Sequence, residues 1–156
     1  MTLHVGDPAP DFTLPSSSGG KPVTLSQLHA EKAVVLFFYP KDDTPGCTVE
    51  ACTFRDSYEA FVDAGAEVVG VSSDSVDSHD RFAEKHKLPM TLLSDPGGKV
   101  RALFGVKSTL GLMPGRATFV IDRKGIVRHV FVSQLRAAAH VGEALSVVRE
   151  LTTARP

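Results

Sequence analysis

Residues Ala33-Val-Val-Leu-Phe-Phe-Tyr39 form an unbroken β-branched and aromatic run that stops at Pro40. A strand that is apolar at every position has no face to give to water. It belongs in the middle of a sheet covered on both sides, which points to an α/β fold built on parallel strands. The elements around it fit that frame. Pro8 to Pro15 alternates turn residues with Phe12 and Leu14, and with the turn at 16–20 and Val23-Thr-Leu25 it predicts an N-terminal β-hairpin. Phe54, Tyr58 and Phe61 share one helical face, which predicts a helix from about Pro45 to Ala64 closed by Gly65. Glu67 to Val71 reads as a second central strand, and Val76 to Lys87 as a polar helix that ends before Pro89. Thr91 to Leu93 reads as a short strand, Gly98 to Phe104 as one or two helical turns, and Lys107 to Gly115 as a loop. Ala117–Ile121 and Ile126–Val132 pair as a hairpin, and Val141, Leu145, Val148 and Leu151 line a C-terminal helix. The order predicts a thioredoxin-like α/β fold: a central mixed sheet flanked by helices, with the N-terminal hairpin added, in one domain over residues 1–156.

Charge narrows the function. Lys plus Arg is 17 against 18 for Asp plus Glu, a net charge of −1, so the basic excess that nucleic acid or an anionic membrane surface demands is missing. The run from Ala33 to Tyr39 is far shorter than the ~20 apolar residues that span a bilayer. The first residues, Met1 to Asp7, carry neither a basic nor a long apolar leader segment, and a cytoplasmic location is the expectation.

The two cysteines, Cys47 and Cys52, are too few for a disulfide framework and lack the paired spacing of a zinc knuckle. The six histidines are scattered and read as surface or partly packed residues; His79 and His86 share a helix face without a third ligand. No metal and no cofactor are expected. Cys47, by contrast, lies just beyond the end of the central strand, where α/β active sites gather. Thr44 is a favoured N-cap and Pro45 a favoured first helical residue, so Cys47 falls in the first turn of a helix. Backbone N–H groups there lack partners, and the positive end of the helix dipole favours an anion, here a nucleophilic thiolate.

The string Phe38-Tyr-Pro-Lys-Asp-Asp-Thr-Pro-Gly-Cys-Thr-Val-Glu-Ala-Cys52 resembles the active-site segment of peroxiredoxins of the bacterioferritin comigratory, or Q-type, subfamily. Gly6–Phe12, Gly70–Asp74, Leu93–Pro96 and Arg116–Asp122 are similar to that subfamily as well, so the resemblance covers nearly the whole chain. It implies that Cys47 is the peroxidatic cysteine, Cys52 the resolving cysteine, Thr44 the hydroxyl that bonds peroxide and thiolate, Pro40 the shield against water, and Arg116 the cation that holds both. Glu50 fits the pattern without an assigned role. The implied activity is reduction of hydrogen peroxide and organic hydroperoxides, with thioredoxin as reductant. With no exposed apolar stripe left over, a monomer is expected. Two other functions remain open: a dithiol–disulfide oxidoreductase, which lacks its Cys-x-x-Cys spacing here, and a non-enzymatic redox sensor.

If both cysteines sit on one helix, five residues span roughly 7.5 Å of rise and turn about 140°, which leaves their Cα atoms about 8.6 Å apart. A disulfide needs about 7 Å or less. The bond therefore requires the first turns of the helix to unwind, and Gly46, a poor helix former, lowers that barrier. Hydrogen exchange across residues 45–53 is expected to rise on oxidation and to recover on reduction. A disulfide coexisting with full amide protection there would mean that the cysteines do not share a helix.

Overall fold

A computed structural model describes residues 3–17, 19–106, 115–132 and 137–153. The apolar run becomes β3 (Ala33–Phe38), buried at every residue. It pairs in parallel with β4 (Ala66–Ser72), which pairs in parallel with β5 (Thr91–Ser94). On its other side β3 runs antiparallel to β6 (Ala117–Ile121), and β6 antiparallel to β7 (Val127–Val132). The strand order is β5-β4-β3-β6-β7, the mixed central sheet expected. The N-terminal hairpin is β1 (Thr13–Pro15) with β2 (Pro22–Thr24), a separate two-stranded sheet shorter than the span from Pro8 suggested. The loop expected at 107–115 lies, but for Gly115, outside the described residues.

Strand alternation splits the core in two. Val35, Phe37 and Tyr39 face one layer with Phe54, Phe61, Phe82, Val141 and Val148. These come from α2 (Pro45–Asp56), α3 (Tyr58–Asp63), α4 (Val76–His86) and α6 (Ala137–Thr153). Val34, Leu36 and Phe38 face the other layer with Leu14 of the hairpin, Leu25 of α1 (Leu25–His29) and Val100 of α5 (Lys99–Leu103).

The single helix expected over residues 45–64 is two helices that break at Ser57, whose backbone leaves the helical region (φ −103°, ψ 3°). Its N–H is shared between the carbonyls of Thr53 and Phe54. One turn earlier, the Thr53 hydroxyl donates back to the Val49 carbonyl at 2.6 Å, a bond that bends helices. The break lets Phe54 and Phe61 both be buried while Tyr58 stays only half-buried.

The loop between β3 and α2 is pinned by a buried polar knot. Tyr39 donates its hydroxyl to Asp42 Oδ1 at 2.6 Å, and Ser78 donates to Asp42 Oδ2 at 2.8 Å. His79 Nδ1 lies 2.7 Å from Asp42 Oδ2, and its Nε2 donates to the Leu93 carbonyl at 2.9 Å. The Asp42 N–H donates to Asp74 Oδ2, which also accepts from the Ser72 hydroxyl. Burial, then the charge of Asp42, raises the Tyr39 pKa well above its ordinary value. His79 is wholly buried, not a surface residue, because both of its ring nitrogens find polar partners in the interior. Asp42, Asp74 and His79 are close enough to share a cation, but their facing atoms already take part in these hydrogen bonds.

Gly70 decides how closely this sheet approaches the helix layer. A Cβ there would lie 2.7 Å from Phe37 Cζ and 2.9 Å from Leu92 Cδ2, both on fully buried side chains. Phe37 in turn stacks on Phe54 of α2 with ring centroids 4.4 Å apart. Gly70→Ala is expected to cost about 1–3 kcal/mol by overpacking. Urea denaturation measures it, and an unchanged midpoint would mean that the Phe37 ring moves aside freely.

Candidate active site

The active-site sequence folds as its residue types dictate. Pro45 opens α2 and Thr44 occupies the N-cap position with extended backbone (φ −85°, ψ 154°). The expected side-chain cap is not made: the Thr44 hydroxyl donates instead to the Lys41 carbonyl at 2.9 Å, leaving its lone pairs for another donor. Cys47 lies in the first turn and is buried, 1% exposed. With Glu50, Ala51 and Phe54 it forms the inward stripe of α2 at spacings i, i+3, i+4 and i+7. Cys52 is off that stripe and half-buried, and both cysteines are free thiols on one helix. Pro40 is half-buried at the exit of β3.

Arg116, immediately before β6, brings the stripe together. Its Nη2 donates to Cys47 Sγ at 3.4 Å and its Nη1 to Glu50 Oε1 at 2.5 Å. Burial opposes the arginine's charge, but Glu50 and Cys47 more than offset it and its pKa is raised. Glu50 is fully buried, and desolvation lifts its pKa to about 8 against the pull of Arg116. Near neutral pH its carboxyl is therefore largely protonated. Gly46 leaves room for the guanidinium: a Cβ there would sit 3.1 Å from Arg116 Nη2. Arg116 Nε has no acceptor among the described residues, so one donor of the buried fork remains unused.

Two participants escaped the sequence. Arg101 of α5, 7% exposed, donates to the carbonyls of Tyr39 at 2.7 Å and of Gly115. It thus ties the residue before Pro40 to the residue before Arg116. Burial lowers its pKa, although Asp95 and Cys47 act the other way. A lone arginine in a five-residue helix carries no pattern that separates it from a surface residue. His140 of α6, also read as a surface or partly packed residue, is fully buried: its Nδ1 lies 2.7 Å from Thr118 Oγ1 and 3.6 Å from Glu50 Oε2. It is buried because α6 packs its apolar stripe on β6, and His140 sits one residue before Val141 of that stripe.

Known proteins share this architecture. A model of the AhpC/TSA family matches residues 5–130. The chain is 51% identical over 147 residues to the chloroplastic peroxiredoxin Q of Triticum aestivum, covering 94% of this chain and 67% of that one. The crystal structure of the peroxidoxin BcpB from Mycobacterium tuberculosis superposes with a TM-score of 0.88 at 42% identity, covering 99% of each chain. The bacterioferritin comigratory protein from Xanthomonas campestris, described by its alkyl peroxide reduction activity, superposes with a TM-score of 0.81 at 34% identity, covering 90% of this chain and 92% of that one. The cytoplasmic expectation is overturned by the plant relatives, which carry a chloroplast location in their names. The lack of a leader-like composition near Met1 was its whole basis, and that says nothing about where such relatives work. The family, the fold and the buried cysteine–arginine pair agree: the chain belongs to the AhpC/TSA family and, within it, to the peroxiredoxin Q group of thiol peroxidases.

Proposed function

We propose that Cys47 is the peroxidatic nucleophile and Cys52 the resolving thiol of a peroxidase that reduces hydrogen peroxide and organic hydroperoxides and is recycled by thioredoxin. The observation that carries this reading is the donation of Arg116 Nη2 to Cys47 Sγ at the start of α2. A thiolate there faces a fixed cation and the unpaired N–H groups of the helix end, both of which favour negative charge. The alkyl peroxide activity named for the Xanthomonas relative supports the organic substrates.

In the first step the Cys47 thiolate attacks one peroxide oxygen and the O–O bond breaks. Sulfur becomes a sulfenic acid, and the departing oxygen leaves as alkoxide or hydroxide and takes up a proton as alcohol or water. Charge develops on that oxygen, and the spare Nε–H of Arg116 is the donor we assign to it, while the Thr44 hydroxyl, which donates to the Lys41 carbonyl, keeps lone pairs to accept the proton of the incoming peroxide. Pro40, half-buried beside the site, limits water. Glu50 fixes the orientation of the guanidinium through Nη1. In the second step the Cys52 sulfur attacks the sulfenic sulfur, the disulfide forms, and water leaves. An external dithiol then reduces the disulfide. The reading includes a single 1–156 domain acting as a monomer.

Three variants test the assignments. Cys47→Ser is expected to abolish peroxide consumption, because a serine hydroxyl stays protonated. Arg116→Lys is expected to slow Cys47 oxidation on the order of 10²-fold, since an ammonium cannot reach sulfur and Glu50 as a planar fork. Stopped-flow oxidation reads this, and an unchanged rate would reduce Arg116 to a structural charge. Cys52→Ser is expected to leave the first oxidation intact and to block the disulfide. Intact mass is then expected to show gain of oxygen, and with excess peroxide the sulfonic level, where wild type shows loss of two hydrogens. Loss of two hydrogens in Cys52→Ser would rule Cys52 out as the resolving thiol.

A further inference from the structure

We propose that His140 is a positioning residue for the peroxidatic reaction: with Glu50 it holds one proton that keeps the charge of Arg116 directed at Cys47. The inference rests on the assignment of Cys47 as nucleophile. It starts from an orphan. Glu50 Oε1 accepts from Arg116, but Glu50 Oε2 is buried without a hydrogen-bond partner among the described residues. His140 Nδ1 faces it at 3.6 Å and is itself 2.7 Å from Thr118 Oγ1. His140 is fully buried, and its ring meets Phe131 edge-on with centroids 4.5 Å apart, so the imidazole is held between β6, β7 and α2.

The Glu50–His140 pair has two protonation levels that matter. With one proton beyond neutral imidazole and carboxylate, carried by either partner, the pair has no net charge. At 3.6 Å the two atoms are in ion-pair contact rather than hydrogen-bonded, and the proton cancels the charge that burial would otherwise leave on Glu50. Without that proton the pair bears one negative charge in a site closed to water. Desolvation disfavours that state, in line with the raised pKa of Glu50. Because the two groups lie close together, the proton belongs to the pair and leaves it in one macroscopic step.

The charged groups around the pair determine what its loss does. Cys47 and Glu50 come from α2, Arg116 from the residue before β6, and Arg101 from α5, which acts electrostatically on both Arg116 and Cys47. With the pair neutral, the positive charge of Arg116 is set mainly against the Cys47 sulfur. Once the pair is negative, Glu50 competes for the same guanidinium through Nη1, and less of its charge acts on sulfur and peroxide. Cys47 oxidation is therefore expected to slow on the alkaline side of its optimum, as the pair gives up its proton.

The test is the second-order rate of Cys47 oxidation by hydrogen peroxide as a function of pH, followed by stopped flow on reduced full-length protein. Wild type is expected to show a falling arm between about pH 7 and 10. Glu50→Gln, which cannot become negative, is expected to lose the falling arm, whatever its effect on the absolute rate. His140→Asn keeps a polar atom where Nδ1 stands but cannot share a proton. Its falling arm is expected to move down by about one pH unit, roughly tenfold in proton affinity. A wild-type rate that stays flat up to about pH 10 overturns the proposal without any variant. So does a His140→Asn protein whose rate falls by one constant factor at every pH, which is what a packing role alone would produce. If peroxide oxidises Cys47 at no pH, the assignment of the nucleophile fails, and this inference with it.

Discussion

Arg116 is a full positive charge enclosed in the protein interior, 4% exposed, and the geometry at the mouth of α2 follows from keeping it there. A buried cation is tolerated only when its donors are matched, and leaving one member of such a group unpaired typically costs about 3–5 kcal/mol. Here the matching acceptors come from one turn of one helix, Cys47 and Glu50 at i and i+3. Gly46 supplies the space and Arg101 holds the two chain segments that deliver Tyr39 and Arg116. The arginine is therefore a clasp on α2 as well as the cation that faces Cys47.

That double duty links chemistry to conformation. Regular helix geometry puts two cysteines five residues apart beyond disulfide reach, and unwinding the helix that carries both would withdraw Cys47 and Glu50 from Arg116 together. In the reduced state such unwinding would strand a buried cation, so the folded helix is favoured. Conversion of a thiolate to a neutral sulfenic acid removes the negative charge that Cys47 sets against Arg116 before the helix has to open. Oxidation itself thus weakens the restraint that it must later overcome.

The central strand, the mixed character of the sheet and the cysteine-bearing helix start could be read from the sequence because each rests on local pattern: a solid apolar run, alternation, and a Thr-Pro pair ahead of a cysteine. Arg116 and Glu50 were nameable from the resemblance, but their mutual contact was not, since 66 residues separate them. Arg101, His79 and His140 were missed for one physical reason. Each is a polar residue buried by partners distant in sequence, and no periodicity marks a polar residue as buried. The break at Ser57 was hidden because Phe54 and Phe61 keep helical spacing across it.

The knot of Tyr39, Asp42 and His79 grips the chain upstream of α2 and includes no residue of that helix. Between the knot and the first helical residue lies Asp43, a non-glycine residue at φ 64°, in the left-handed region that few side chains adopt. Unwinding is thus bounded upstream at Asp42, where the chain is moored to the sheet and α4, and has only the turns of α2 itself to loosen. When α2 opens, its loose end keeps its registration with the mould that it left. Re-forming the peroxide site after reduction then becomes a short search from a fixed anchor, a matter of rewinding a turn or two rather than of refolding a domain.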